Sequence, residues 1–180
     1  FSKELPEPLI DLAQQTLKDP YNFDFLTMRE NYNERELEDA LTKNITRFLL
    51  ELGSGFAFVG RQVRLEINGN EFFIDLLFYH LKLRCYVVIE LKVTEFKPEY
   101  LGQLGFYVTA INKQMKRKED SPTIGLIMCK TKDRIIAEYA LEGTNQPLGI
   151  SQYDLVKIMP DELKNTLPSI EEIENKLNEE

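Results

Sequence analysis

Residues 70–92 read NEFFIDLLFYHLKLRCYVVIELK, two apolar runs joined by a short polar turn at His80–Arg84. Runs rich in aromatic and β-branched residues, with no Gly or Pro inside them, read as strands. A joint this short leaves them no choice but to pair antiparallel, and it fixes their register. Asp75 then falls opposite Ile89 or Glu90. Three charges interrupt the apolar pattern: Asp75 in the first run, Glu90 and Lys92 in the second. A carboxylate buried in such a run without a partner is strongly unfavourable. Glu90 and Lys92 are two apart and share a face. Two carboxylates and a lysine therefore meet at one spot on a sheet, as a buried ion-pair cluster or as a metal site.

The flanks extend this pair into a domain. Asn33, with Glu36 three residues later, has the pattern of a helix cap. Leu37, Leu41, Ile45, Phe48, Leu49 and Leu52 continue from it at helical spacing, and Gly53 and Gly55 close the run. Residues 56–59 and 62–67 read as one strand kinked at Gly60, and Asn68-Gly69 is a two-residue hairpin turn. After the central pair, Pro98-Glu99 opens a helix with Leu101, Leu104, Val108 and Ile111 on one face. In that helix Gly102 and Gly105 allow close approach by a neighbour. TIGLIMC at 123–129 reads as a buried strand, 134–141 as a helix, and 147–151 as a short edge strand. The order is helix, a meander of three strands, helix, strand, helix, strand. The strand reached through the 98–117 helix is expected to run parallel to one of the meander. The expected fold is α/β, a mixed central sheet flanked by helices. Residues 1–33 read as a loosely packed lead-in with a helical run at 9–17, residues 34–158 as the domain, and residues 159–180 as an acidic tail, weakly helical over 169–177.

Net charge bears on the partner. The chain carries −8 overall, which by itself argues against a polyanion. Residues 1–39 hold −6 of that and residues 161–180 hold −5, so residues 40–160 are left at +3. The acidity belongs to the ends, and the centre remains open to a polyanionic substrate. The single histidine, His80, rules out a His-rich metal site and reads as a turn residue. Cys85 and Cys129 sit in apolar strands as small buried hydrophobes, which suits a reducing, cytoplasmic setting. No apolar run approaches membrane-spanning length, so no membrane partner is expected. The chain starts without Met, and we read it as part of a longer protein.

Asp75, Glu90 and Lys92 suit phosphodiester hydrolysis. Mg²⁺ takes oxygen ligands from one or two carboxylates and keeps positions for water and phosphate. The carbonyl of Leu91, between Glu90 and Lys92, is at the depth of a further ligand. Lys92 is placed to orient water and to stabilise developing charge. The alternative is an Asp75–Lys92 or Glu90–Lys92 ion pair. A charged run at the end of the second long helix (Lys113, Lys116, Arg117, Lys118) and Lys130 and Lys132 after the TIGLIMC strand are candidate phosphate contacts or merely solvated. Gln62 reads as a polar contact near the site or a strand-edge residue, and Tyr107 as a stacking surface or a half-buried helix tyrosine.

Asp followed by Glu-x-Lys on neighbouring strands of an αβββαβ core resembles the PD-(D/E)XK nuclease superfamily, a restriction-endonuclease-like fold. FFIDLL has Ile74 where the nominal motif has Pro, and VVIELK matches in full. Gln103 with Tyr107 resembles the Gln-x-x-x-Tyr element of the RecB-like branch. The stretch from Phe48 through Tyr107 is similar to the YhcG-like bacterial proteins, with Thr94 and Gly105 at positions often Gly and Asn there. The resemblance implies a bacterial, cytoplasmic, Mg²⁺-dependent nuclease domain acting on DNA, with Mn²⁺ able to substitute. It implies Asp75, Glu90 and Leu91 as metal ligands and Lys92 at the water. It adds an acid from the first helix, Glu38 before Glu34, and Gln103 in support. Gln62, Tyr107, Lys113 and Lys116 are the nucleic-acid candidates. It further implies an N-terminal domain of the same chain outside this stretch, and a homodimer stays open. A nuclease fold kept for DNA binding or assembly, with little hydrolysis, is the alternative.

Overall fold

The computed structural model describes residues 16–160. The helical runs expected at 9–17 and 169–177 lie wholly or mainly outside them. The strands are β1 (Tyr21–Asn22), β2 (Thr27–Arg29), β3 (Phe56–Ile67), β4 (Asn70–His80), β5 (Cys85–Leu91), β6 (Ile124–Cys129), β7 (Leu148–Asp154) and β8 (Lys157–Met159). The helices are α1 (Glu34–Lys43), α2 (Ile45–Leu52), α3 (Tyr100–Gln114) and α4 (Arg134–Glu142). The αβββαβ core is present, with its first helix in two pieces.

The caps explain the helix boundaries. The Asn33 side chain accepts from the Glu36 N–H at 2.8 Å and starts α1. The single helix expected to reach Leu52 is instead broken at Asn44. There both the backbone N–H, at 3.1 Å, and the side-chain amide, at 2.9 Å, converge on the Ala40 carbonyl. An Asn side chain that competes for a backbone carbonyl favours a cap over helix continuation. The break lets α1 and α2 follow the curve of the sheet separately.

Six strands form the main sheet in the order β1-β7-β6-β5-β4-β3, and β2 pairs with β8 beside it. The meander β3-β4-β5 is antiparallel, and β6 joins β5 in parallel through α3. Asn68 and Gly69 both take positive φ, 50° and 80°, as the tight turn between β3 and β4 requires. The kink expected at Gly60 is a register shift between Phe58 and Gly60, with Val59 the extra residue and largely solvent-facing. In β4–β5, Leu76 pairs with Ile89 and His80 with Cys85. One more step of that register brings Asp75 to Glu90.

Two expectations need correction. β7 is not an edge, because β1 pairs along its outer side. The described part of the lead-in is not loosely packed: Tyr21, Phe23, Leu26 and Met28 are buried. Phe23 packs edge-on against Phe48 of α2 at 5.7 Å, and Phe48 against Phe78 of β4 at 5.7 Å. The apolar side chains of 21–32 needed a core to enter, and the α1–α2 face of the sheet supplies it. His80 likewise ends β4 rather than lying in the turn, and it is buried, with Nδ1 accepting from the Leu83 N–H at 3.1 Å.

The two faces carry separate cores. Leu37, Leu41, Phe48 and Leu52 cover Leu76, Phe78, Val87 and Ile89 on one side. Leu101, Leu104, Val108 and Ile111 cover Leu77, Val88 and Ile127 on the other. Gly105 does permit a close approach, by the side chain of Gln146, whereas nothing lies near Gly102. In β6 a glycine is crowded by apolar side chains from both α3 and β7. A Cβ at Gly125 would sit 2.8 Å from Leu148 and Val108 and 2.9 Å from Leu104. Gly125→Ala is therefore expected to overpack the α3–sheet interface by about 1–3 kcal/mol. Chemical denaturation of the two proteins side by side checks this, and an unchanged midpoint would show that the interface relaxes freely.

Candidate active site

The charged cluster forms where the β4–β5 ladder stops. Past Leu76–Ile89 the strands separate, and the gap is filled by the Asp75 side chain. Its Oδ2 accepts from the Leu91 N–H at 2.9 Å. A side chain thus takes over the backbone hydrogen bond that the next ladder step would have made. Glu90 is buried beside it. Its Oε1 is shielded from solvent and has no hydrogen-bond partner. Burial pushes the Glu90 carboxyl well above its usual range, and the adjacent Asp75, by hydrogen bond and by charge, pushes it further. The charge of Lys92 works in the opposite direction. Asp75 and Glu90 are therefore neighbours on one side of the sheet, as a shared ligand role demands.

Glu38 reaches the same place from α1. It is 3% exposed, on the buried side of its helix with Leu37 and Leu41. Both carboxylate oxygens are engaged: Oε1 accepts from Arg61 Nε at 2.8 Å and Oε2 from Gln62 Nε2 at 2.7 Å. The same Gln62 amide nitrogen donates to Asp75 Oδ1 at 3.2 Å. Gln62 thus ties a helix carboxylate to a strand carboxylate. Its backbone adopts φ 45°, in the left-handed region, where a residue with a Cβ is held at a cost of about 1–2 kcal/mol. Arg61 also pairs with Asp39. A cavity of about 190 Å³ opens here, lined by Glu34, Arg35, Glu38, Gln62 and Asp75.

Lys92 follows β5, its backbone N–H held by the Met128 carbonyl at 2.8 Å. Its ammonium lies over the ring of Tyr100, 4.6 Å from the centroid. On α3, Gln103 Nε2 donates to the Tyr107 hydroxyl at 3.2 Å. The Tyr107 hydroxyl is pushed up by burial and by the charge of Glu90, so this pair faces the carboxylates. The structure brings together Asp75, Glu90, Leu91, Lys92, Glu38, Gln62, Gln103 and Tyr107. It does not bring Lys113 and Lys116 there. They lie at the far end of α3, with Lys113 about 15 Å from Gln103 at ~1.5 Å of rise per residue. Lys132 is engaged with Asp19 and with the Ile150 carbonyl at 3.0 Å, which gives it a structural role.

Sequence reasoning gives Arg61 no part in the cluster and leaves Gln62 a polar contact or a strand-edge residue; the structure ties both of them to Glu38. The signal was present. A two-residue turn at Asn68-Gly69 fixes the β3–β4 register, in which Arg61 pairs with Leu76 and Val63 with Ile74. That sets Gln62 across from Asp75.

Among the described residues, no group of three or more His, Cys, Asp or Glu side chains is arranged to hold a metal ion. Both oxygens of Glu38 are taken by Arg61 and Gln62. Asp75 and Glu90 do fit a divalent cation. A buried carboxylate oxygen without a donor, beside a second carboxylate, lacks the positive charge that would make it favourable.

Known proteins resemble this chain in sequence. The model of the YhcG PDDEXK nuclease domain family matches residues 14–168. "Putative nuclease YhcG" of Escherichia coli (strain K12) is 39% identical over 165 residues, covering 89% of this chain and 44% of that protein. The chain thus spans less than half the length of this curated relative. Among solved structures, a repair endonuclease from Pyrococcus abyssi is 20% identical, with a TM-score of 0.44 over 73% of this chain and 50% of that one. A complex of EndoMS with dsDNA is 16% identical, with a TM-score of 0.44 over 73% of this chain and 46% of that one. Overlap at that level is too slight to carry function across. Among the described residues, no helix is long and apolar enough to cross a membrane.

The buried acid has a measurable consequence for stability. A carboxyl whose folded pKa is raised contributes no penalty below its unfolded pKa of about 4.3, and an increasing one as pH rises toward the folded value. In chelator, the protein is therefore expected to lose melting temperature relative to Glu90→Gln as pH rises from about 4 through neutrality. At neutral pH the variant should melt higher, by about 2–4 °C for each kcal/mol relieved. Calorimetry across pH checks both points; parallel curves would mean that Glu90 is not strained by burial.

Proposed function

The chain belongs to the YhcG PDDEXK nuclease domain family, and we propose that it is a divalent-metal-dependent nuclease domain that hydrolyses phosphodiester bonds in DNA. One observation carries this reading above the others. Glu90 is buried with an unpartnered oxygen, against Asp75, two residues before Lys92. A purely structural cluster has no reason to leave that oxygen without a donor when a lysine is so near and rests on Tyr100 instead.

Asp75, Glu90 and the Leu91 carbonyl are the residues that would hold Mg²⁺, with Mn²⁺ as a substitute. The ion supplies Lewis-acid stabilisation of charge on the phosphate. The remaining roles belong to the chain. The Leu91 N–H fixes one Asp75 oxygen, so the other is aimed by Gln62. Gln62 acts as a positioning residue here, and so does Arg61, which holds Glu38 against it. Lys92 swings from the Tyr100 ring to orient the attacking water and to neutralise the non-bridging oxygens as charge builds. Gln103, held by Tyr107, lines the approach from α3. In-line attack of water on phosphorus breaks the bond to the leaving oxygen, which takes up a proton, leaving a phosphomonoester end and a hydroxyl end. The mildly basic centre of the chain supports a polyanionic substrate. Residues 34–158 form the catalytic unit, with the strands of the lead-in completing its sheet. The buried free thiols of Cys85 and Cys129, pushed up to about 12 and about 11 by burial, fit a cytoplasmic setting.

One observation favours the alternative, a nuclease fold retained for binding. The Gln62 amide donates to both Glu38 and Asp75, the position a second cation would take. Cleavage assays decide between the two. Plasmid and oligonucleotide DNA are incubated with Mg²⁺, with Mn²⁺ and with chelator. Cleavage that requires the metal and falls by about 10²-fold or more in Asp75→Asn and in Lys92→Ala is the expected result. Binding with no cleavage in either metal would replace the enzyme by the binding module.

A further inference from the structure

The basic residues that the fold removes from the carboxylates are not scattered. α3 runs back along β5, so its C-terminus meets the β4–β5 turn at the opposite end of the sheet. Lys82 and Arg84 lie in that turn, and Lys113, Lys116, Arg117 and Lys118 at and after the end of α3. The two groups are fastened together. The Ser121 N–H donates to the Arg84 carbonyl at 2.8 Å, and Tyr79 of β4 donates its hydroxyl to Asp120 at 2.6 Å. The Arg117 N–H donates to the other Asp120 oxygen at 2.9 Å. Asp120, the acid at the centre, is thereby spent on a tyrosine hydroxyl and a backbone amide. The backbone of the patch is held without using the side chains of Lys82, Arg84, Lys113, Arg117 or Lys118.

Those side chains are free to bind. Among the described residues, the ion pairs engage Lys18, Arg29, Arg61, Arg64 and Lys132. None of the six basic residues of the patch is in one. Lys82, Arg84, Lys113, Arg117 and Lys118 are solvent-exposed, and Lys116 is half-buried, its ammonium on the Arg117 carbonyl at 3.3 Å. In a chain of net charge −8, such a concentration of unpaired cations on one end is a local reversal of sign.

We infer that this end of the sheet is a second contact for the phosphate backbone of nucleic acid, separate from the carboxylate site and formed by Lys82, Arg84, Lys113, Arg117 and Lys118. The reading of the substrate as nucleic acid supplies the polymer; the patch itself supplies the charge. Arg84 stands about 20 Å from Glu90 along β5, at ~3.3 Å per residue. Phosphates recur every ~3.4 Å along a strand, so the two sites are about five or six nucleotides apart. Short substrates reach the carboxylates alone, and longer ones reach both.

Binding tests this without cleavage. Fluorescence anisotropy in chelator, on the full chain, compares a hairpin duplex of about 4 base pairs with a duplex of about 24 over a range of salt. Lys82→Glu and Lys118→Glu are set beside Arg47→Glu, an exposed reversal of equal charge on α2. The longer duplex should bind tighter. Each patch variant should weaken it and lower its log–log salt slope by about 1, while Arg47→Glu should do neither. Unchanged melting curves confirm that all three variants fold. Patch variants that lose no more than Arg47→Glu, or no binding to either duplex, would overturn the inference. Metal-dependent cleavage by the unsubstituted protein reports separately on the carboxylate site: its absence with patch-dependent binding intact removes the enzyme and keeps the patch, and the converse keeps the enzyme and removes the patch.

Discussion

The burial of Glu90 is the constraint on which the rest of this structure turns. A carboxylate in the middle of VVIELK is buried and, on one oxygen, has no protein donor. Folding could have relieved it by pairing Glu90 with Lys92, which is two residues away and on the same face. The lysine instead lies over Tyr100. The strands separate at this point, Asp75 turns in, and the Leu91 amide is spent on Asp75 rather than on Glu90. Each of these choices leaves negative charge concentrated and unsatisfied. That is a poor arrangement for stability and, on the reading proposed above, a sound one for cation binding, because the electrostatic cost such a fold carries is the attraction a cation would feel.

The sheet makes that arrangement affordable elsewhere. Two apolar faces, one under α1–α2 and one under α3–α4, give the domain two cores that close on either side of β5. β5 sits between β4 and β6, so both its edges are paired up to the point where the β4 ladder ends. The site thus lies at a strand terminus on the most enclosed part of the sheet, fixed by the surrounding ladders but open at its end. Helix α1 delivers Glu38 there because Leu37 and Leu41 anchor it; Asn44 then frees α2 to turn away. The hydrophobic contacts position the acids, and the acids contribute little to holding the fold.

Much of this was legible from residue order alone. The short turn after His80 dictated antiparallel pairing, and the register put Asp75 opposite Ile89 or Glu90. The caps at Asn33 and the Asn68-Gly69 turn are local chemistry and appear as expected. What local pattern did not carry was tertiary. The break at Asn44 depends on a competition for one carbonyl that is decided by the curvature of the sheet. The burial of Tyr21, Phe23 and Leu26 depends on a cavity assembled from α2, β4 and β7, which are distant in sequence. The lysines at the end of α3 read as phosphate contacts or as merely solvated, and their place was not legible: a helix running back along the sheet carries its end away from its beginning. In each case the residue was noticed and its neighbour was not.

Gln62 shows why the last of these gaps matters. Read alone, it is a polar contact near the site or a strand-edge residue. Its place across from Asp75 follows from the hairpin register, but its role needs two further facts: the positive φ that turns the amide inward, and the arrival of Glu38 from α1. A side chain that bridges two carboxylates through one NH₂ group holds them closer than they would rest alone, and a strained backbone is the means of doing so. A hydrogen-bond donor between two acids is also a weak stand-in for a cation. On the metal-site reading proposed above, the amide, with only partial charge to offer, would yield to a divalent ion that brings full charge and takes several oxygens. The strain at Gln62 and the unpartnered oxygen of Glu90 are then two parts of one device, one holding the geometry and the other leaving it incomplete.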